Sequence, residues 1–89
     1  MLKPLKVSGN SMSPTIKDGD FLTISTCDDY KVNDIVVLDL PELGLIVKRI
    51  KLKEYNSVRV IGDNPLLESS ACDQMHPLKN IVGKVTKVN

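Results

Sequence analysis

Two serines and a lysine are the residues of this sequence whose types and settings could support covalent chemistry. Ser11 and Ser13 belong to the stretch VSGNSMSPTIKDGD, residues 7–20, between a glycine and a Pro-Thr turn. A serine hydroxyl is a poor nucleophile without an adjacent base, and a neutral lysine amine such as that of Lys48 can act as the base. The alternative is structural, with the serine hydroxyls capping a turn and Lys48 lying at the edge of the core.

The strand predicted over residues 44–53 places Lys48 in its apolar register, because side chains alternate between faces along a strand. The even positions are Ile46, Lys48, Ile50 and Leu52. The odd positions from residue 49 onward are Arg49, Lys51 and Lys53, which predicts a solvated face. Two interpretations of Lys48 remain open. Its stem could run along the core while its ammonium reaches water, or the amine is desolvated, which disfavours the charged form.

The hydrophobic periodicity of the chain is mostly two, which predicts an all-β protein. The predicted strands cover residues 5–8, 20–25, 34–40, 44–53, 57–61 and 80–88. A hairpin turn with proline early and glycine late is predicted at 41–44, a turn at 13–18 and one long loop at 62–79. We therefore expect a single domain over residues 1–89, either a small partly open barrel or a coiled antiparallel sheet with one long loop.

The composition restricts the possible partners. Aromatic residues make up 3% of the chain, so we expect an aliphatic core, and the net charge is only +1. A phosphate-binding surface normally needs an excess of Lys and Arg, so no nucleic-acid partner is expected. His76 is the single histidine; we expect it at the surface, and we predict no metal or cofactor. Cys27 and Cys72 are interpreted as reduced thiols, with a single bridge between them left open.

No apolar run approaches the about 18–20 residues needed to cross a bilayer. The first ten residues, MLKPLKVSGN, lack the apolar region of an export signal. The sequence therefore predicts a cytoplasmic protein. It leaves peripheral membrane association and the oligomeric state open.

Several stretches, in family order, resemble the conserved boxes of type I signal peptidases. They are GNSMSPTIKDGD, NDIVVLDL, IVKRI and VIGDNP with the downstream IVGKV, and together they span residues 7–85. The superfamily also includes the self-cleaving repressors of the SOS response and of phages, and small soluble maturation peptidases. The resemblance implies an all-β serine–lysine endopeptidase that cleaves an extended polypeptide, such as the leader of a precursor. It also implies small residues at the first and third positions before the cut.

The resemblance implies roles for individual residues. Ser11 would be the nucleophile and Lys48 the general base, and the backbone N–H of Ser11 would serve the oxyanion hole. Met12 would border the substrate pocket. Asp63, in the Gly-Asp-Asn stretch, would brace the loop beside the dyad.

The sequence departs from the family pattern after the Gly-Asp-Asn stretch, which continues PLLESSACDQ. Ser69 or Ser70 is a candidate for the supporting serine that orients the lysine, and Asp73 is the candidate remnant of a missing Asp-Ser-Arg triplet. Gly9, two residues before Ser11, has no hydroxyl to supply a second oxyanion donor. The membrane anchor and large inserted β-domain of the bigger signal peptidases are not found either.

Two further alternatives to a processing peptidase remain open. One is a catalytically weak or inactive module of the same fold, which binds an extended peptide by adding a strand to a sheet edge. The other is the self-cleaving C-terminal domain of a repressor, whose cut site lies well upstream of the nucleophile. Only ten residues precede Ser11, and their only glycine is Gly9. If the chain is complete, we expect it to cut a separate polypeptide.

Overall fold

The computed structural model of the chain describes residues 4–26, 29–67 and 70–89. Its strands are β1 (Leu5–Lys6), β2 (Phe21–Ser25), β3 (Ile35–Leu40), β4 (Gly44–Lys53), β5 (Ser57–Ile61), β6 (His76–Pro77) and β7 (Ile81–Val88). The helices of this part are two short 3-10 helices, Ser70–Asp73 and Leu78–Asn80. None of them is long and apolar enough to cross a membrane. The all-β prediction is confirmed.

The strands form one sheet in the order β1-β2-β7-β3-β4-β5-β6. Every neighbouring pair is antiparallel. The sheet does not close into a barrel, because β1 and β6 lie at opposite ends of this order. This arrangement agrees with the expected open, coiled antiparallel sheet.

The longer predicted strands and the turns match the structure closely. Strands 44–53 and 57–61 are found as β4 and β5, with the bounds predicted. At the turn between β3 and β4, the Leu43 N–H donates to the Leu40 carbonyl at 3.3 Å. Gly44 follows with a φ of +71°, a conformation that glycine adopts without steric cost.

The prediction of one long loop over residues 62–79 is wrong in part. This segment contains both 3-10 helices and strand β6, which pairs with β5. The expected surface position of His76 is also wrong, since the residue is only 4% exposed. Its Nε2 lies 2.6 Å from the Ala71 carbonyl oxygen. A strand of two residues is too short for hydrophobic periodicity to reveal it.

Most of the buried hydrophobic residues in the described part of the chain form two clusters. The large cluster contains the buried residues Tyr30, Val36, Leu38, Leu40, Ile50, Val58, Val60 and Ala71. The small cluster contains Met12, Ile16 and Leu22, with partly buried residues such as Ile35 packed against it. Side chains alternate along β3, so Ile35 contacts the small cluster while Val36 and Leu38 belong to the large one. The two clusters therefore lie on opposite faces of the sheet at β3.

The alternation predicted along β4 fails beyond Ile50. The register between β4 and β5 shifts between Ile50 and Leu52, and such an irregularity reorients the side chains that follow. Leu52 is accordingly 44% exposed, although its even position predicted burial. The predicted choice between two thiols and a Cys27–Cys72 bridge involves Cys27, which lies outside the described residues; the Cys72 thiol is free.

Candidate active site

Residues 7–20, here called the Ser11 loop, connect β1 to β2. Two backbone hydrogen bonds close the base of the loop. The Val7 N–H donates to the Asp20 carbonyl at 2.8 Å, and the Gly19 N–H donates to the Val7 carbonyl at 2.9 Å. Within the loop, the Ile16 N–H donates to the Met12 carbonyl at 2.9 Å, which forms the turn predicted at 13–18.

The two aspartates of the Asp-Gly-Asp stretch hold the Ser11 loop in shape. The carboxylate of Asp18 accepts a hydrogen bond from the Gly9 N–H at 2.7 Å. The carboxylate of Asp20 accepts one from the Lys17 N–H at 2.8 Å. Gly9 has a φ of +95°, which a residue with a side chain rarely adopts. The polar residues that follow the serines therefore fix the backbone on which Ser11 stands.

Ser11 is half-buried in this loop. Its carbonyl accepts a hydrogen bond from the Asn64 N–H at 2.9 Å, and the Asn64 side chain donates to the Asn10 carbonyl at 3.0 Å. Within the described residues, neither the N–H nor the hydroxyl of Ser11 has a hydrogen-bond partner. Both groups are therefore free to interact with a bound molecule.

Lys48 is buried, with only 3% of its surface exposed. It lies opposite the buried Val36 in the pairing of β3 with β4. This position agrees with the apolar face of the strand on which the alternation placed it. Among the residues described, Lys48 makes no hydrogen bond or ion pair, and none bonds it to Ser11. No fully buried side-chain nitrogen or oxygen in this part of the chain lacks a partner. The Lys48 amine must therefore keep some contact with solvent.

Gly62 directly follows β5 and lies close to Ser11 and Lys48. This role of Gly62 is not predicted from the sequence. A Cβ atom placed on Gly62 would lie 2.7 Å from the Ser11 carbonyl oxygen and 3.3 Å from Lys48 Nζ. Carbon and oxygen do not approach as closely as the first of these distances, so a larger residue would displace the Ser11 backbone. Gly62 is the glycine of the Gly-Asp-Asn stretch, in which the family resemblance implied a role only for Asp63.

Asp63 joins the Ser11 loop to β4. Its carboxylate accepts hydrogen bonds from Arg49 Nε at 2.8 Å and Arg49 Nη2 at 2.7 Å, and from the Thr15 hydroxyl at 2.7 Å. The Asp63 N–H contacts Met12 Sδ at 3.4 Å. Arg49, predicted on a solvated face, has 29% of its side chain exposed, and a bidentate ion pair that the alternation did not predict holds its guanidinium.

These bonds shift the pKa values of both ionised groups. The hydrogen bonds from Arg49 lower the pKa of Asp63, and burial opposes this effect, while Thr15 and the Arg49 charge reinforce it. The hydrogen bond to Asp63 in turn raises the pKa of Arg49, against a smaller effect of burial. The pair is therefore fully charged at neutral pH, which favours a fixed geometry beside Lys48 and Gly62.

Ser11 and Lys48 line one cavity of about 340 Å³. One wall comes from β1 and the residues that follow it, and the other from the β3–β4 hairpin and the first half of β4. The lining residues are Leu5, Lys6, Val7, Ser8, Ser11, Met12, Leu43, Leu45, Ile46, Val47 and Lys48. The nucleophile and base suggested by the sequence, together with the candidate pocket residue Met12, thus face the same space.

The supporting residues suggested downstream of the Gly-Asp-Asn stretch fall outside the side chains that the structure describes. Ser69 lies outside them, and the same holds for the side chains of Ser70 and Asp73. Within the described part, no group of three or more His, Cys, Asp and Glu side chains could hold a metal ion.

The structure thus places a serine loop and a buried lysine on one cavity of an open antiparallel sheet. A family model described as Peptidase S24-like matches residues 2–86, and the chain belongs to that family. The match confirms the serine–lysine peptidase superfamily suggested by the sequence. Among curated proteins, none matches the chain significantly.

Proposed function

We propose that this protein is a serine endopeptidase in which Ser11 is the nucleophile and Lys48 the general base. The observation that supports this most is the shared cavity, which is lined by both residues although they come from distant parts of the chain. Lys48 is buried without an acidic partner among the described residues. No ion pair of the described part therefore occupies the amine, which has to accept the proton of Ser11 in the proposed reaction.

The proposed reaction proceeds in two steps. The Lys48 amine takes the proton of the Ser11 hydroxyl while Oγ attacks the scissile carbonyl carbon, and the unpaired Ser11 N–H donates to the developing oxyanion. The Lys48 ammonium then gives its proton to the leaving amine. Lys48 then takes a proton from water, the hydroxide attacks the acyl carbon, and Lys48 returns the proton to Ser11 Oγ as the bond between Oγ and the acyl carbon breaks and the carboxylic acid leaves. In the free protein Ser11 and Lys48 are not hydrogen-bonded, and such contacts commonly tighten only when substrate is bound.

The substrate would bind as an extended strand between two open sheet edges. β1 pairs with β2 on one side only, within the described residues. β4 pairs with β3 from Gly44 onward, whereas its pairing with β5 starts only at Arg49. Within the described residues, the first half of β4 therefore has a free backbone edge, and both edges border the cavity. A peptide can add to such edges through main-chain hydrogen bonds.

The identity of the substrate is proposed from the family resemblance alone. We propose a polypeptide cut after small residues, in particular a precursor whose leader is removed. The cytoplasmic location stays a prediction. A module that binds peptides without cutting them would use the same two edges, so only an assay for cleavage separates the two functions.

The test is cleavage of a peptide library, with the cut sites identified by mass spectrometry. Ser11→Ala and Lys48→Met should each lower turnover about a thousandfold or more, and the double variant should be hardly worse than either single one, because the two groups act as a unit. Lys51→Met is the matched control, since Lys51 is an exposed lysine of the same strand. This control should keep wild-type turnover.

Three results would contradict the proposal. If Lys48→Met kept more than about a tenth of the wild-type rate, Lys48 would not be the base. Binding of library peptides without any cleavage by the wild type would favour the binding module. A Ser11-dependent clip within the protein's own chain, first order and independent of protein concentration, would favour a self-cleaving domain of the repressor type.

A further inference from the structure

Lys6 is the second lysine that lines the cavity. It is exposed on β1, and it has no hydrogen-bonded or ion-paired side-chain partner in the described part of the chain. Four basic residues of the described part have an acidic partner, namely Lys31, Arg49, Lys53 and Lys84, and none of these four lines the cavity. The ammonium of Lys6 is thus free to bind a group that enters the cavity.

The acidic residues near the Ser11 loop do not neutralise this charge. Asp18 and Asp20 accept hydrogen bonds from backbone N–H groups of the loop, and Asp63 is paired with Arg49. None of the three lines the cavity, and among the described residues its ionisable lining side chains are those of Lys6 and Lys48. No carboxylate among the described lining residues therefore neutralises the exposed ammonium of Lys6.

Apart from Lys48, the facing wall is apolar where it borders the cavity. Leu43 is 47% exposed and Leu45 is 52% exposed, and both line the space. Two carboxylates occur on this hairpin, since Asp39 lies opposite Leu45 in the register and Glu42 lies in the turn. Neither lines the cavity. The groove thus has a free cation on the β1 wall and exposed leucines on the other.

We propose that Lys6 determines specificity, and that the groove selects extended peptides with a carboxylate side chain beside Lys6 and an aliphatic side chain against Leu43 and Leu45. This inference rests on the proposed function and names its substrate class. The carboxylate belongs at Lys6 and not at Lys48. Lys6 is exposed, whereas Lys48 is only 3% exposed and has to accept the proton of Ser11 in the proposed reaction.

The test uses short alanine-rich peptides that contain one leucine. A single Glu, Gln or Lys is moved through the other positions. At the best position and low salt, we expect kcat/KM for the Glu peptide to exceed that for the Gln peptide about fivefold, and high salt should abolish the difference. Lys6→Glu should reverse the order in favour of the Lys peptide, and Lys6→Gln should remove it. Lys51→Glu makes the same charge change on an exposed lysine outside the cavity and should leave the order unchanged.

A binding measurement separates this inference from the peptidase proposal. Fluorescence anisotropy measures binding of the same peptides to Ser11→Ala. The Glu peptide should bind more tightly than the Gln peptide, and in the double variant with Lys6→Glu the Lys peptide should bind most tightly. These results are expected even if the wild type cuts none of the peptides. If Lys6→Glu does not change the preference among the Glu, Gln and Lys peptides in either assay, the inference about Lys6 is overturned. The peptidase proposal would still stand if cleavage is observed. Equal effects of Lys6→Glu and Lys51→Glu would overturn it as well, because net charge alone would then explain them.

Discussion

The two hydrophobic clusters are stabilised in different ways. The large cluster has eight buried residues, most of them aliphatic side chains from β3, β4 and β5 that pack across neighbouring strands. The small cluster has only three. The Ser11 loop, which supplies two of them, is held largely by polar groups. Asp18 and Asp20 accept hydrogen bonds from its backbone, and Asp63 and Asn64 join it to the segment after β5.

The difference separates stability from positioning. Apolar burial has no preferred direction and scales with area, so the large cluster stabilises the sheet without fixing any one atom. Hydrogen bonds depend on distance and angle, so the polar contacts fix where Ser11 lies relative to Lys48 and Gly62. We therefore expect substitutions in the large cluster to change the free energy of unfolding and substitutions at the Ser11 loop to change activity.

The largest effect on stability should come from Leu38→Ala. Leu38 is fully buried in the large cluster, and removal of a buried leucine side chain costs about 2–5 kcal/mol because it loses burial and leaves a cavity. Urea unfolding should show this decrease. The kcat/KM of the remaining folded protein should stay close to that of the wild type.

Leu52→Ala is the matched control, because Leu52 is a leucine of the neighbouring strand that the shifted register exposes. It should change the free energy of unfolding by less than about 1 kcal/mol. Equal losses in the two variants would show that the large cluster does not dominate stability. A large fall in kcat/KM for Leu38→Ala would mean that the two regions are coupled.

The next effect is on activity and comes from Gly62→Ala. The added methyl would lie 2.7 Å from the Ser11 carbonyl oxygen, so the backbone beside the nucleophile must move. Small displacements of a reacting group cost up to about a hundredfold in rate, and we expect kcat/KM to fall by about ten- to a hundredfold. Steady-state kinetics on a peptide cut by the wild type measures this.

Gly83→Ala controls for crowding in general. Its added methyl would lie 3.1 Å from the Ser25 carbonyl oxygen, and Gly83 does not line the cavity. It should lower stability without lowering kcat/KM. Wild-type kinetics for Gly62→Ala would refute the view that close packing at Gly62 fixes Ser11.

Much of the fold could be predicted because apolar and polar side chains alternate along the longer strands. The bounds of β4 and β5 and the turn at 41–44 follow from alternation and from the proline and glycine between strands. The burial of Lys48 follows from its neighbours in the same register. The burial of His76 and the exposure of Leu52 do not, because a two-residue strand and a register shift leave no periodic signal.

The reactive groups of the candidate site could be predicted from the sequence, but the residues that position them could not. Ser11 and Lys48 were proposed from their types and settings, and their catalytic roles stay predictions. Gly62 is important because it has no Cβ atom. This requirement can be recognised only when the position of the Ser11 carbonyl is known. Arg49 looked solvated because alternation describes a strand alone, whereas its partner Asp63 arrives from the end of β5.

The smallest effect should come from Asp63→Asn, and it should depend on pH. The hydrogen bonds from Arg49 lower the pKa of Asp63 in the folded chain. The unfolded chain therefore takes up a proton at higher pH, near its ordinary value of about 3.9. The stabilisation by ionised Asp63 is then fully present above about pH 4 and is lost as the pH falls through the lower folded pKa. We expect Asp63→Asn to lower stability by about 1–2 kcal/mol at pH 7, as for partly exposed charge-assisted hydrogen bonds.

Urea unfolding of the wild type and the variant between neutral and strongly acidic pH tests this. The two curves of stability against pH should converge on the acid side, because protonated Asp63 resembles asparagine in charge. Asp39→Asn is the control, since Asp39 is an exposed carboxylate of β3 without an ion pair in the described residues, and its curve should follow the wild type. Thr15→Val removes only one of the three hydrogen bonds to Asp63 and should give a smaller change in the same direction. A constant difference between wild type and Asp63→Asn at every pH would show that shape, and not charge, explains the contribution of Asp63.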